Sequence, residues 1–446
     1  MWYSPQDQGV NKQSKFRKGV SMAKEAVIID GCRSPIGRAG DRGVYRAISP
    51  VDLMVQVLDA LVKRNNLDVN LVDEVVMGSA GTAQGLGGVR PMLLVAGFPE
   101  SVGGTDTQRA CASSSNAIAI AAHLIMNDDA DIVIATGLET MDRQAPVQPW
   151  EIGRRGGPLQ AAAEGRVRGG VDLTPEQQAA RYPEGWKTAK LQPGRRPDIP
   201  SYDMGRTAEE LSQRFDVPRE PSDRFAQRSQ EKAIAALDNG WFLQEVVPIT
   251  INYEDGSTEV ISVDQCPRRN STYEAIAALP PAYMEGGRVT AGNSCPRSDG
   301  AGAVLLMSKE KAKELGYKPM LTFRHAVAIG VDPSVMGIGP FPSTTKLLKR
   351  TGMTLKDLDL IEINEAFACQ VIYSARMLGF TDREWDILNI KGGAIAMGHP
   401  FGMTGTRQCA VLAHELKRLD LEWGLATLCI GGGQGMATLF QREHYD

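Results

Sequence analysis

Apolar residues come along this chain in short runs separated by stretches of helical period. Glu25-Ala-Val-Ile-Ile-Asp-Gly31 is an apolar run of strand length, and in Pro50 to Arg64 the residues Val51, Met54, Leu58 and Leu61 recur at the spacing of an amphipathic helix. Val72-Asp-Glu-Val-Val-Met-Gly78 predicts the next strand, the small residues after Cys111 a helix, and Ala130 to Met141 a further strand. Strands alternating with helices predict a layered α/β fold. From Met141 to Arg288 the texture changes: Gly, Pro, Gln and charged residues fill Pro146 to Pro200, and helical patterns cover Thr207 to Phe215 and Pro221 to Asn239. A long irregular stretch between regular elements marks an inserted loop domain. The α/β pattern returns with Ala301 to Met307, and a second series opens at Met320: helix Ser343 to Gly352, strand Leu358 to Asn364, helix Ala366 to Leu378, a β-like approach to a turn at His399, a helix, and strand Gly424 to Ile430. Asp131-Ile-Val-Ile-Ala-Thr-Gly137 and Leu425-Ala-Thr-Leu-Cys-Ile-Gly431 are counterparts in the two series, which predicts an internal duplication.

Length and charge narrow the class. A chain of 446 residues with 42% hydrophobic and 23% charged residues is a globular protein of two or three domains. A net charge of −4 gives no electrostatic reason for a nucleic acid or an anionic membrane as partner. Cys32, Cys111, Cys266, Cys295, Cys369, Cys409 and Cys429 are odd in number and include no C-x-x-C pair, which argues against a disulfide framework or a zinc site. No run reaches the length of a membrane-spanning helix. Met1 to Met22 is polar and lysine-bearing and reads as a flexible extension; a transit peptide is the other reading, because Asp7 is the sole acid before Glu25.

Three turns concentrate the candidate chemistry. Gly392 to Pro400 is a glycine-rich turn with His399 at its mouth, followed by Phe401-Gly-Met-Thr-Gly405 and a helix whose N-terminus favours negative charge. Cys111 stands in the first turn of a small-residue helix, where free N–H groups favour a thiolate. Leu425 to Cys429 is an apolar strand that delivers a second cysteine into Gly431-Gly-Gly433. Each cysteine alone would ordinarily be a small buried hydrophobe; three such turns in one chain are much harder to dismiss.

With Cys111, Asn364-Glu-Ala-Phe367, Gly398-His399-Pro400 and Cys429-Ile-Gly-Gly-Gly433 in this order, the sequence resembles the thiolases, the acetyl-CoA C-acyltransferase family. Val289-Thr-Ala-Gly-Asn293 and Val331-Asp-Pro-Ser-Val-Met-Gly337 match as well, so the resemblance runs over about residues 24 to 440. It implies duplicated α/β domains in an αβαβα core: residues 24–141 with 289–319, then 320–446, with a loop domain at 142–288 and an extension at 1–23. It also implies a cytoplasmic homodimer or homotetramer of fatty acid metabolism that acts on CoA thioesters, coenzyme A being substrate and no metal or redox cofactor being needed. Cys111 would carry the acyl group as a thioester. His399 would activate that thiol and, with a water on Asn364, hydrogen-bond the enolate of the acetyl thioester. Cys429, with a pKa near neutrality, would manage the α-proton, and the N–H groups of Cys111 and Gly431 would form a second oxyanion hole.

Met204, Tyr283, Met336 and Phe367 match pocket-lining positions, and Arg268 matches a position that meets the nucleotide end of CoA; otherwise they are core side chains and a solvated arginine. Three departures put the substrate's identity in question: Asp203-Met204-Gly205 stands where the family has His-Met-Gly, Cys295 stands where it has a serine near the pantetheine, and Arg154 to Pro200 is longer and more polar than the family's usual loop. Two alternatives stay open. One is another condensing enzyme of the same broad fold, against which Cys429 argues. The other is a catalytically silent acyl carrier or scaffold, against which both cysteines and His399 argue.

Overall fold

A computed structural model describes residues 24–81, 88–141 and 203–444. The extension at 1–23 and the polar stretch 146–200 lie outside the described residues. The strands are β1 (Ala26–Arg33), β2 (Gly37–Arg38), β3 (Glu74–Gly78), β4 (Gly103–Thr107), β5 (Ile132–Glu139), β6 (Ile249–Asn252), β7 (Thr258–Ile261), β8 (Ser298–Ser308), β9 (Leu321–Gly330), β10 (Leu360–Ile363), β11 (Trp423–Ile430) and β12 (Gln434–Arg442). The helices that matter most for the site are α1 (Pro50–Arg64), α2 (Ser113–Met126), α3 (Met204–Arg214), α4 (Arg219–Asp238), α5 (Pro340–Thr351), α6 (Ala368–Leu378) and α7 (Thr404–Arg418).

The duplication is visible in the strand directions. In the first half β3 runs parallel to β5, β5 antiparallel to β8, and β8 antiparallel to β1. In the second half β10 runs parallel to β11, β11 antiparallel to β12, and β12 antiparallel to β9. A short antiparallel pairing of Val27 and Ile28 with Thr322 and Leu321 joins the halves, and the path reads β10-β11-β12-β9-β1-β8-β5-β3-β4. In each half a long helix, α2 or α7, leads into the second parallel strand.

Alternation along the strands builds the layers, because successive side chains point to opposite faces. In β1, Val27 and Ile29 pack with α1, whereas Ala26 and Ile28 pack with α2 and α7. In β12, Met436 and Phe440 face α2 and α7, whereas Ala437 and Leu439 face the side covered by α5 and α6. The result is helix, sheet, paired central helices, sheet, helix: the expected αβαβα order. The central helices touch through small residues. A Cβ on Gly405 would lie 2.2 Å from the Ser115 backbone nitrogen, and Thr406 N donates to Ser114 Oγ at 3.1 Å.

One expected element differs. The approach to His399 is not a strand; Ala394–Met397 is a single helical turn in which Ala396 and Met397 N–H groups donate to the Gly393 carbonyl. Four apolar residues between glycines satisfy either period, and the local turn wins.

Candidate active site

The first half supplies Cys111 on a one-turn 3-10 helix, Ala110–Ala112, directly before α2. Ala110 has φ 42°, left-handed backbone that costs a non-glycine residue about 1 kcal/mol and that clusters at functional turns. Ser113 fastens the turn: its hydroxyl donates to the Ala110 carbonyl at 2.7 Å and accepts from Arg109 N–H at 2.9 Å.

The loop that carries His399 belongs to the second half but is held by the first. His399 N–H donates to Ser298 Oγ at the start of β8 (3.2 Å). Glu139, at the end of β5, accepts from both Gly402 N–H (3.0 Å) and Ala80 N–H (2.9 Å), which clamps this loop to the loop after β3. The His399 loop and the Cys111 turn thereby meet on the same side of the central helices.

The ring of His399 is fully enclosed and held at both nitrogens. Nδ1 lies 2.6 Å from Thr404 Oγ1, and Thr404 gives its own hydrogen to the Pro400 carbonyl at 2.9 Å. The hydroxyl must therefore accept, so Nδ1 carries the proton and Nε2 is the bare nitrogen. Nε2 faces Asn364 Nδ2 at 3.2 Å. Burial, reinforced by the Arg407 charge, pushes the imidazole down to about 3, so it is neutral at physiological pH. Asn364 is set by its own backbone N–H, which donates to the Thr427 carbonyl at 2.9 Å, and its Oδ1 is buried without a partner among the described residues.

Cys429 is the penultimate residue of β11, which packs on the Ala110–Ala112 turn. Its thiol is fully buried, and burial followed by the neighbouring Cys111 and Cys295 push it well above the usual thiol range. The expectation of a thiol poised near neutrality is not what this environment gives. Desolvation outweighs the backbone hydrogen bond that favours the thiolate and keeps the proton on sulfur. Cys295, whose N–H donates to the Ala366 carbonyl, is likewise raised by burial and by Cys111. Three thiols therefore lie within electrostatic reach of one another.

The residues matched to the pocket gather round Cys429. Met204, Tyr283, Met336 and Phe367 share one apolar cluster with it. Tyr283 and Phe367 meet edge to face at 6.1 Å, and Met204 Sδ stands 3.4 Å from where a Cβ on Gly431 would be. Arg268 is apart from this cluster. Its N–H donates to Gln230 Oε1 at 2.8 Å, and with Gln230, Asp238, Arg269 and Ser271 it lines a hollow of about 300 Å³ on α4. Asp203 is explained by local structure: it caps α3, accepting from Gly205 and Arg206 N–H groups. Thr404 and Ser298 were not singled out by sequence reasoning; a polar residue at a helix start or strand end is too common a signal. Among the described residues no group of His, Cys, Asp and Glu is placed to hold a metal, and no helix is long and apolar enough to cross a membrane.

Comparison with known proteins bears on this geometry. The family model for the thiolase N-terminal domain matches residues 26–310, and that for the thiolase C-terminal domain matches residues 317–442. This chain belongs to the thiolase family. An acetyl-CoA acetyltransferase of Syntrophomonas wolfei is 38% identical to this thiolase over 424 residues, 94% of this chain and all of the relative. A 3-ketoacyl-CoA thiolase of Psychrobacter cryohalolentis is also 38% identical, over 94% of this chain and 98% of its own. Among solved structures, the acetyl-CoA acetyltransferase of Bacillus anthracis superposes with a TM-score of 0.78 at 35% identity, covering 95% of this chain and 100% of that one. Human mitochondrial 3-ketoacyl-CoA thiolase in complex with CoA gives 0.77 at 30% identity, covering 95% and 99%. The thiolase fold and acyltransferase class are thus those of this chain.

Proposed function

We propose that this thiolase moves acyl groups between CoA thioesters through an acyl-enzyme on Cys111: 3-ketoacyl-CoA and CoA to acyl-CoA and acetyl-CoA, or the reverse condensation. The observation that carries the reading is the tautomer of His399. Nδ1–H is committed to Thr404, so Nε2 is the nitrogen that can take a proton, in place of the hydrogen bond it accepts from Asn364 Nδ2.

In the cleavage direction His399 Nε2 takes the Cys111 proton and the thiolate attacks the 3-keto carbon. The bond between the α- and β-carbons then breaks. The acyl group stays on Cys111 as a thioester, and the electron pair leaves as the enolate of acetyl-CoA. Cys429, which burial keeps protonated, donates its hydrogen to the enolate carbon. The Cys429 thiolate then takes the proton of incoming CoA, whose sulfur displaces Cys111 from the acyl group, and Cys111, leaving as a thiolate, recovers its proton from His399 Nε2. His399, while protonated at Nε2, and a water held by Asn364 would donate to the enolate oxygen; the unpartnered Asn364 Oδ1 supports this role, since it offers an acceptor for that water. The N–H groups of Cys111 and Gly431 would serve the tetrahedral intermediate, and removing such a donor typically costs about 3 kcal/mol of barrier.

The apolar cluster of Met204, Tyr283, Met336 and Phe367 supports a pocket for acyl chain and pantetheine. Half-buried Arg268, whose proton affinity is lowered by burial and by nearby Arg38, supports a phosphate contact at the nucleotide end of CoA. The proposal includes a cytoplasmic homodimer or homotetramer, and a division into domains at 24–141 with 289–319, 142–288 and 320–446, which the repeated strand order supports. The deciding test is thiolysis of acetoacetyl-CoA by the purified protein with CoA, followed by loss of the ketoacyl enolate absorbance. A protein that binds these thioesters and never turns them over would be the silent carrier instead.

A further inference from the structure

A second pair of residues repeats, one rung away, the geometry that holds His399. Glu362 on β10 and Asn364 just beyond it are two positions apart, so both side chains leave the same face of the strand. Across from them Thr404 and Arg407 are three apart on α7 and share a helix face. Asn364, His399 and Thr404 form one rung; Glu362 Oε2 and Arg407 Nη2, 3.1 Å apart and both about 98% buried or more, form the other. Gln408 locks the spacing, its Nε2 donating to the carbonyls of Glu362 and Thr427 at 3.2 and 3.3 Å. Arg407 Nε has no partner among the described residues, so Glu362 is the carboxylate that balances this guanidinium.

We propose that the buried Glu362–Arg407 ion pair is a positioning and field-setting device for His399: it fixes the Asn364-to-Thr404 span, and its net charge sets how readily His399 takes the Cys111 proton. This rests on the assignment of His399 as the base.

The charges around the pair are few. Glu365 and Glu245 face Glu362 with like charge and Lys391 with opposite charge, while Lys232 stands farther along the same buried array. Arg407 is the charged group that bears on His399. Glu365 also bears on Arg407. With Glu362 ionised the pair is neutral and His399 feels a dipole; with Glu362 protonated, Arg407 loses its hydrogen-bonded carboxylate and opposes the imidazolium more strongly. Glu362 is raised to about 7, mainly by burial, so this balance changes within the working range of pH.

The two ends of one ion pair should then leave different marks on the pH profile. The pH dependence of kcat/KM for acetoacetyl-CoA thiolysis would be measured for wild type, Glu362→Gln, Arg407→Gln and Arg407→Lys. In Glu362→Gln the guanidinium is bare at every pH, so the rise that wild type shows as Glu362 ionises near pH 7 is lost, while the acid limb set by His399 stays in place. In Arg407→Gln the acid limb moves up by about one pH unit, because the orphaned carboxyl protonates and the site becomes neutral. Arg407→Lys returns it toward wild type. A structural role alone would lower kcat in each variant and leave profiles of one shape with superimposed limbs, and that result overturns the inference. Should the single variants not fold, Glu362→Leu with Arg407→Met removes both charges at similar volume, a replacement that buried pairs tolerate; its limb should move up as in Arg407→Gln, and an unmoved limb overturns the inference equally. Thiolysis with unmoved limbs defeats this inference alone, whereas a wild-type protein without thiolysis defeats the reading beneath it.

Discussion

Gly405 crosses Ser115 so closely that a Cβ at Gly405 would sit 2.2 Å from the Ser115 backbone nitrogen and 2.3 Å from its hydroxyl. This contact joins α7, which begins just after His399, to α2, which begins just after Cys111. The spacing between the starts of α7 and α2 is therefore limited by one missing methyl group. Backbone cannot move aside as a flexible side chain can, so Gly405→Ala should force the central helices apart. The expected cost is about 1–3 kcal/mol in chemical denaturation, with a fall in kcat larger than the loss of folded protein explains. A variant of wild-type stability and turnover would refute the tight crossing.

Cys111→Ala should abolish covalent acylation. Intact-mass measurement after incubation with acetyl-CoA should show the acetyl increment on wild type and none on the variant. Iodoacetamide should label Cys111 first among the seven cysteines; a peptide map in which another thiol reacts earlier would displace it as the nucleophile.

Cys429→Ala should still be acylated by acetyl-CoA but should stop exchange of the α-protons with D₂O. In the proposed mechanism the buried thiol is the acid and base for that carbon, and alanine has nothing to exchange. Continued exchange, read by NMR of recovered acetyl-CoA, would move the proton role to another group.

Thr404→Val keeps the shape of the side chain and removes the acceptor for His399 Nδ1–H. The buried N–H then lacks its partner, which costs about 1–3 kcal/mol, and the tautomer with a bare Nε2 loses its advantage. kcat should fall roughly ten- to a hundredfold with KM little changed, the range that this energy implies. Thr404→Ser, which keeps the hydroxyl, should recover most of the rate.

His399 also leaves a signature in stability. Its folded value is pushed down to about 3, whereas an exposed histidine titrates near 6.5. Between these values the unfolded chain binds a proton that the folded protein refuses, so stability falls as pH falls below about 6.5. By pH 5 the loss from this group is roughly 2 kcal/mol. His399→Gln should flatten that part of the curve, and parallel urea titrations of the two proteins from pH 7 to 5 would check it.

The fold was legible because its periods are strong. The apolar runs of β1, β3, β5 and β11 and the spacing in α1 admit one reading each, and the two series declare the repeat. The single miss of type, Ala394–Met397, falls on four residues too few to favour either period. At the site, the apolar residues matched to the pocket share one cluster with Cys429, and Arg268 lines a separate hollow on α4. Thr404, Ser298 and Glu139 were invisible because their importance is purely spatial: each holds a loop from an element distant in sequence, and nothing in their neighbours distinguishes them from ordinary caps. The poise of Cys429 was misjudged for a related reason. A glycine run suggests open backbone donors, but the enclosing side chains come from Met204, Tyr283 and Phe367, far away in the chain.

The hairpin that presents Cys429 has its own consequence. Cys429 pairs with Gly435 and Ile430 with Gln434 across a turn of three glycines, two of them at φ 86° and 84°. Strand registers advance in steps that invert the side chain, so a single inserted residue that slips β11 by one place would point the sulfur into the opposite layer and bring Leu428 or Ile430 to the cavity. Loop length here acts like a frame: lineages can vary the chemistry around it, but only even displacements of this strand would keep a thiol facing the substrate.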